Sequence, residues 1–295
     1  MKKNTEDNYL KRLNAVIDFI YDNIDNSLDI NRLADVACMS PYHFHRIYRS
    51  VIGEPVNATV RRLRLHKSAA LLLRSEHSLL DIAIATGYGS SEAYNRAFRK
   101  EFGKTPGQFR VEGGNKLIPS IFSKRTITSE KVDNKMYETE LENFEGLRLV
   151  GIRHQGDYMD IGQVFEKLLM SAGQYQWMND TTRMIGIYYD DPSSVPVEDR
   201  RSVACMTLPD GAEVPEGRGL EVLDVPAGKT VSLLFKGSYA ELEKPYNWLF
   251  GEWLPSSGLE MENFPAFEEY LNDNRVTPPS ELLTRIHCLV KPSAV

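Results

Sequence analysis

Between Tyr9 and Arg110 apolar residues recur at intervals of three and four, and no stretch alternates residue by residue. That period predicts helices throughout and an all-α region. One of these helices is sharply two-sided. With Ser40 as N-cap and Pro41 at the first helical position, Phe44, Ile47, Tyr48 and Val51 form an apolar stripe, while Tyr42, His45, Arg46 and Arg49 form a polar one. Residues 30–38 supply a shorter helix ahead of it, and the break at Met39-Ser40 predicts a helix-turn-helix. The layout returns fifty residues later: LLDIAIAT, the turn GYG, the N-cap Ser90 followed by Ser91, an inward set of Tyr94, Ala97, Phe98 and Phe102, and an outward set of Glu92, Asn95, Arg96 and Arg99. Laid over one another, the two segments match Arg46 to Arg96 and Arg49 to Arg99. One arginine face is usually only a solvated face, but the same pair repeated after a short helix and a turn predicts recognition of double-stranded DNA. Between the two units, residues 56–74 predict one long helix bearing Arg61, Arg62, Arg64 and Lys67. It would hold the recognition helices about one turn of B-DNA apart, roughly 34 Å, so that one chain reads two successive major grooves.

After about Met136 the texture changes to short β-type runs such as LRLVGIR, TVSLLF and RIHCLV, separated by helical stretches such as VFEKLLMSAG and KPYNWLFGEWL. This predicts an α+β half. It also repeats: HQGDY at 154–158 lies over FKGSY at 235–239, an offset of 81 that puts Tyr189 on Tyr270 and Ile187 on Glu268. The intervening 113–134, mixing Gly, Pro, Ser and charges without a period, reads as a linker between a domain of 1–112 and one of 135–295.

Charge sharpens the division. Residues 1–112 carry 17 Lys and Arg against 13 Asp and Glu, a balance of +4, so with a net charge of -6 for the chain residues 113–295 carry -10. A basic first half suits phosphate, and an acidic second half suits cations. No apolar run approaches the roughly 18 residues of a membrane span, and the N-terminus has no signal-peptide character, so a cytoplasmic location without membrane contact is expected. Cys38, Cys205 and Cys288 are scattered and read as small core residues rather than a disulfide or zinc framework, and no metal is expected. There is no GxSxG elbow, P-loop, HExxH or glycine-rich dinucleotide turn. No catalytic residue and no cofactor are therefore expected. Asp190-Asp191 most simply start a turn before Pro192.

The stretch DIAIATGYGSSEAYNRAFRKEFGKTPGQFR resembles the signature of AraC-type transcription regulators, over about residues 8–111. The resemblance implies base-reading positions at Tyr42, His45 and Arg46 in the first recognition helix and at Glu92, Ala93 and Arg96 in the second. Residues 136–293, through GIYYDDP, GSY, EWLPSSG, FEEYLND and LLTRIHCLVKP, resemble a gyrase-inhibitor-like effector domain, a duplicated βαββ unit found in multidrug-sensing regulators. The pairing implies a ligand-responsive regulator, such as an activator with RNA polymerase as a further partner.

Aromatic residues are abundant in the second half, and at the junction of two sheet-bearing repeats they can wall a concave site for a lipophilic cation. Tyr158, Tyr188, Tyr239, Trp253 and Tyr270 are the candidates. In FEEYLN, read as a strand, Glu268 and Tyr270 share a face and Glu269 takes the other. A carboxylate on a core-directed face is costly unless it meets a cation, and the resemblance puts an acidic ligand contact at Glu268. The alternatives are an exposed strand-edge pair of carboxylates and, for the domain, a small-molecule hydrolase or a protein-interaction module.

Overall fold

The computed structural model describes residues 2–26, 28–112 and 137–292, and no side chain before Asp7. The expected linker at 113–134 lies outside the described residues. The chain divides into two compact units, one of Met1–Tyr9, Met39–Ser50 and Lys131–Val295, the other of Leu10–Cys38 and Val51–Glu130.

Helices follow the expected order: α1 Lys2–Asp22, α2 Ile30–Val36, α3 Pro41–Ile52, α4 Val56–Arg74, α5 Leu79–Ala85, α6 Ser91–Phe102 and α7 Pro106–Glu112. The second helix-turn-helix is built around one aromatic cluster, in which Tyr94 and Phe98 of α6 and Phe109 of α7 pack with Leu65, Ala69 and Leu72 of α4 and Ile82 and Ala83 of α5. Its turn is a Schellman motif: Gly87 sits at φ +80°, its N–H reaches the Ile84 carbonyl, and the Tyr88 N–H reaches that of Ala83. Ser90 then starts α6, its hydroxyl accepting the Ala93 N–H at 3.2 Å. The αL residue after α2 is Cys38, at φ +50°. It is exposed, whereas Cys205 and Cys288 are buried, so the expectation of three core cysteines holds for two.

The second half is α+β. Its strands are β1 Thr139–Phe144, β2 Leu147–Gln155, β3 Met184–Tyr188, β4 Arg201–Thr207, β5 Glu221–Val225, β6 Gly228–Lys236, β7 Leu259–Met261, β8 Phe267–Tyr270 and β9 Leu283–Pro292. Helix α8 is Ile161–Tyr175; its counterpart is α9 Glu243–Trp248, a π-helical turn Leu249–Trp253, and α10 Leu254–Ser257. Pro255 has no N–H to offer the turn before it, which favours the irregular winding. The strands form one antiparallel sheet in the order β1-β6-β9-β8-β3-β4-β2-β5, with β7 added to β9. Each repeat is therefore a βαββ unit, β2-α8-β3-β4 and β6-α9/α10-β8-β9, and the two meet where β3 pairs with β8. One face packs Val150 and Met206 against Leu168, Ala172 and Trp177, while the other gathers Phe144, Ile185, Ile187, Val203, Cys205 and Phe267. Strands covered on both sides bury consecutive residues, as β4 and β8 do.

That burial overturns the strand-edge alternative for the paired carboxylates. β8 is a central strand between β3 and β9, and Glu268 and Glu269 are 4% and 8% exposed.

Candidate effector site

The repeat seen in the sequence places the first two candidate tyrosines symmetrically. Gly156 follows β2 and Gly237 follows β6, each donating its N–H across to a carbonyl, Arg200 and Leu282 respectively. Asp157 and Ser238 then cap the short 3-10 turns that begin with Tyr158 and Tyr239. The other two tyrosines come from the central strands. Tyr188 and Tyr270 bring their hydroxyls within 2.6 Å of each other, Tyr158 meets the Tyr188 ring edge-on at 4.8 Å, and Tyr239 meets the Tyr270 ring at 5.3 Å. Gly186 lies beneath them, where an added Cβ would stand 2.7 Å from the Tyr270 hydroxyl and 2.8 Å from the Tyr188 ring. The tyrosines can converge there because Gly186 has no side chain.

At the centre stands Glu268. Tyr246 of α9 donates to Oε1 at 3.0 Å and Tyr270 donates to Oε2 at 2.9 Å. With the Tyr270 proton given to the carboxylate, the Tyr188 hydroxyl is left to donate to Tyr270. Burial pushes the Glu268 carboxyl up to about 7, against the opposing pull of the Tyr270 and Tyr246 hydrogen bonds and the nearby Arg46 charge. Burial, reinforced by the Glu268 charge, also holds the Tyr188, Tyr246 and Tyr270 hydroxyls well above their usual range, so they stay protonated donors. The cavity has a volume of about 770 Å³, and its lining includes Tyr158, Phe165, Tyr188, Tyr239, Tyr246, Glu268 and Tyr270. Trp253, expected as a wall, lies at the end of the π-helical turn and is not part of the lining.

Glu269 faces the other way. Arg183 grips it with two hydrogen bonds of 2.7 Å and His287 approaches at 3.2 Å. Burial would raise its carboxyl, but these partners hold it down at about 2. The pairing register also corrects the repeat alignment. Gly186, not Ile187, stands opposite Glu268, and Ile187 pairs with Phe267 on the far face.

The cavity contains residues that the sequence did not assign to it. Asp191 lines it while forming the expected turn, its carboxylate accepting from Ser193 and Ser194. Burial works against its ionisation, but Arg46 and these hydrogen bonds keep its carboxyl below the usual range. Arg46 and Arg49 of α3, expected at DNA, also line it. Arg46 lays its guanidinium 4.1 Å over the Tyr246 ring, Arg49 pairs with Glu243 at 2.9 Å, and Ser40 donates to Asn263 at 2.9 Å. Tyr42 lies 6.0 Å from the Tyr189 ring, and burial holds the His45 imidazole below its usual range. No local sequence signal announces contacts between residues some two hundred positions apart.

On α6 the expected residues are placed differently. Glu92, Arg96 and Arg99 are exposed, Ser90, Ser91, Ala93 and Asn95 are half-buried, and Tyr94 and Phe98 point into the core. Among the described residues no helix is long and apolar enough to cross a membrane.

Residues 137–291 match the family described as a GyrI-like small molecule binding domain, and residues 33–112 match a helix-turn-helix domain family. The regulatory protein SoxS of Salmonella typhimurium is 32% identical over 98 residues, which are 33% of this chain and 92% of that protein. The DNA gyrase inhibitor of Erwinia billingiae is 33% identical over 110 residues, 37% of this chain and 69% of that protein. The HTH-type transcriptional regulator MtrA of Neisseria gonorrhoeae is 33% identical over 106 residues, 36% of this chain and 35% of that protein, so the chain spans about a third of that relative's length. The chain belongs to the GyrI-like small molecule binding family and carries, ahead of that domain, a helix-turn-helix domain of the AraC type.

Proposed function

We propose that the chain is a DNA-binding transcription regulator whose C-terminal domain senses a lipophilic cation. The observation that carries the effector assignment is Glu268, a carboxylate that is 4% exposed in a cavity walled by tyrosines. An ionised carboxylate is costly to bury without a counter-charge, and aromatic faces complement a cation that brings its own apolar surface. Tyr158, Tyr188, Tyr239 and Tyr270 supply those faces. On the DNA side, Glu92, Asn95, Arg96 and Arg99 of α6 read one major groove with Ser90 and Ser91 at its rim, and Tyr42, His45, Arg46 and Arg49 of α3 read the next with Ser40 at its rim. Such a regulator works in the cytoplasm and engages RNA polymerase at its promoter.

The test is calorimetric titration of tetraphenylphosphonium into the full chain and into Glu268→Gln and Glu269→Gln. Loss of a desolvated charge partner is expected to cost about 2–5 kcal/mol in the first variant and little in the second. Equal affinities in the two variants refute Glu268 as the charge partner.

A further inference from the structure

The walls that the C-terminal domain gives the cavity carry more carboxylates than cations: Asp157, Glu166, Asp191, Glu243, Glu268 and Asp273 against Arg200 and Arg275. Both of those arginines are engaged. Arg275 pairs with Asp273 at 2.7 Å, and Arg200 donates to the Val195 and Pro192 carbonyls. The remaining positive charge in the lining comes from α3. Arg46 lies over Tyr246, the residue that donates to Glu268, with the Phe250 ring 5.7 Å away. Its Nη1 is buried without a hydrogen-bond partner, so stacking, the Tyr246 hydroxyl and the nearby Asp191 carboxylate carry the task of offsetting its desolvation. A planar delocalised cation on an aromatic face beside a buried carboxylate is the arrangement expected of a bound ligand.

We propose that Arg46 is a built-in occupant of the effector seat, and that a planar cation displaces its guanidinium and frees α3 for DNA. The proposal builds on Glu268 as the effector's charge partner, and it names the ligand class as flat amidinium, guanidinium or fused-ring cations. Further contacts hold α3 in this position: the His43 Nε2–H donates to the Phe264 carbonyl at 2.7 Å, and the His43 ring stacks on Phe250 at 5.5 Å. One side chain cannot both fill the cavity and reach base edges. Effector and DNA are therefore coupled through it, and a ligand that must expel Arg46 binds more weakly than its contacts alone would give.

Proflavine, a planar fluorescent cation, is the probe, titrated into the full chain by anisotropy. Arg46→Met is expected to bind it about tenfold or more tightly than wild type, because the competitor is gone. Glu268→Gln is expected to bind it more weakly, and the double variant to gain nothing from Arg46→Met. Equal or weaker binding by Arg46→Met, with Glu268→Gln still impaired, overturns the displacement and leaves the cation site standing; unchanged binding by Glu268→Gln overturns the cation site itself. A second measurement needs no ligand. The side-chain Nε–H signal of Arg46, identified by its loss in Arg46→Met, is expected to be protected from water exchange in wild type and to lose that protection in Glu268→Gln. Free exchange in the ligand-free wild type overturns the proposal whether or not the dye binds.

Discussion

Glu268 and Glu269 are neighbours in sequence with opposite electrostatics, and pH separates them. Glu268 is raised to about 7, so the folded chain holds its proton where the unfolded chain, near pH 4.5, has lost it. The stability that goes with that proton is present below pH 4.5 and is lost as pH rises through 7. At about 1.4 kcal/mol per pKa unit, the loss is on the order of 3 kcal/mol, and melting curves should show Glu268→Gln gaining on wild type across this window. A cation that needs the carboxylate must also expel the proton, so tetraphenylphosphonium affinity should fall in wild type below pH 7 and stay flat in Glu268→Gln. Glu269 has the opposite sign: held at about 2, it contributes stability present above pH 4.5 and lost as pH falls toward 2. Glu269→Gln removes the charged partner of Arg183 and should cost about 2 kcal/mol near neutral pH, a difference from wild type that shrinks in acid unfolding experiments.

At the scale of elements, the turn between α5 and α6 is the most exacting piece of local structure. Gly87→Ala would force a side chain into the left-handed region, at about 1–2 kcal/mol, and push its Cβ to 2.8 Å from the Arg64 guanidinium. Ser90→Ala removes the cap of α6 and should cost about 1 kcal/mol; chemical denaturation of the full chain reads both. Helix periodicity made these elements legible in the sequence: residues 56–74 were expected as one helix, and α4 spans Val56–Arg74. Strand register was harder. Overlaying the repeats at one constant offset put Ile187 under Glu268 and Tyr189 under Tyr270, whereas Gly186 is the residue opposite Glu268 and Tyr188 the one bonded to Tyr270. A slip of one residue moves every side chain to the other face, so Glu268 could be placed toward the cavity from its own strand's alternation but not from its supposed repeat mate. The π-helical turn that leaves Trp253 out of the lining had no sequence signature beyond Pro255. The seating of Arg46 had none, since a helix pattern shows which face is polar and not which surface that face meets.

For the whole molecule, two recognition helices on one chain predict a footprint of about two helical turns of duplex once effector has freed α3. Binding should weaken steeply with added salt as Lys and Arg displace condensed counterions. Arg96→Ala should cost about 1–3 kcal/mol on a specific site and relax preference at one position. With effector bound, a footprint confined to one groove would show that α3 does not reach the duplex, and an Arg96→Ala loss that is the same on every sequence would show that Arg96 touches phosphates only.

The exposed Cys38 in its left-handed turn has a practical consequence. Cys205 and Cys288 are buried, and burial pushes both thiols far above their usual range, so only one of the chain's three thiols is open to a maleimide in the folded state. The native protein should take up one equivalent of dye, and the denatured protein three. That places a fluorophore three residues ahead of α3 without engineering, and a change in its emission on adding proflavine would report in real time whether the recognition helix leaves its seat.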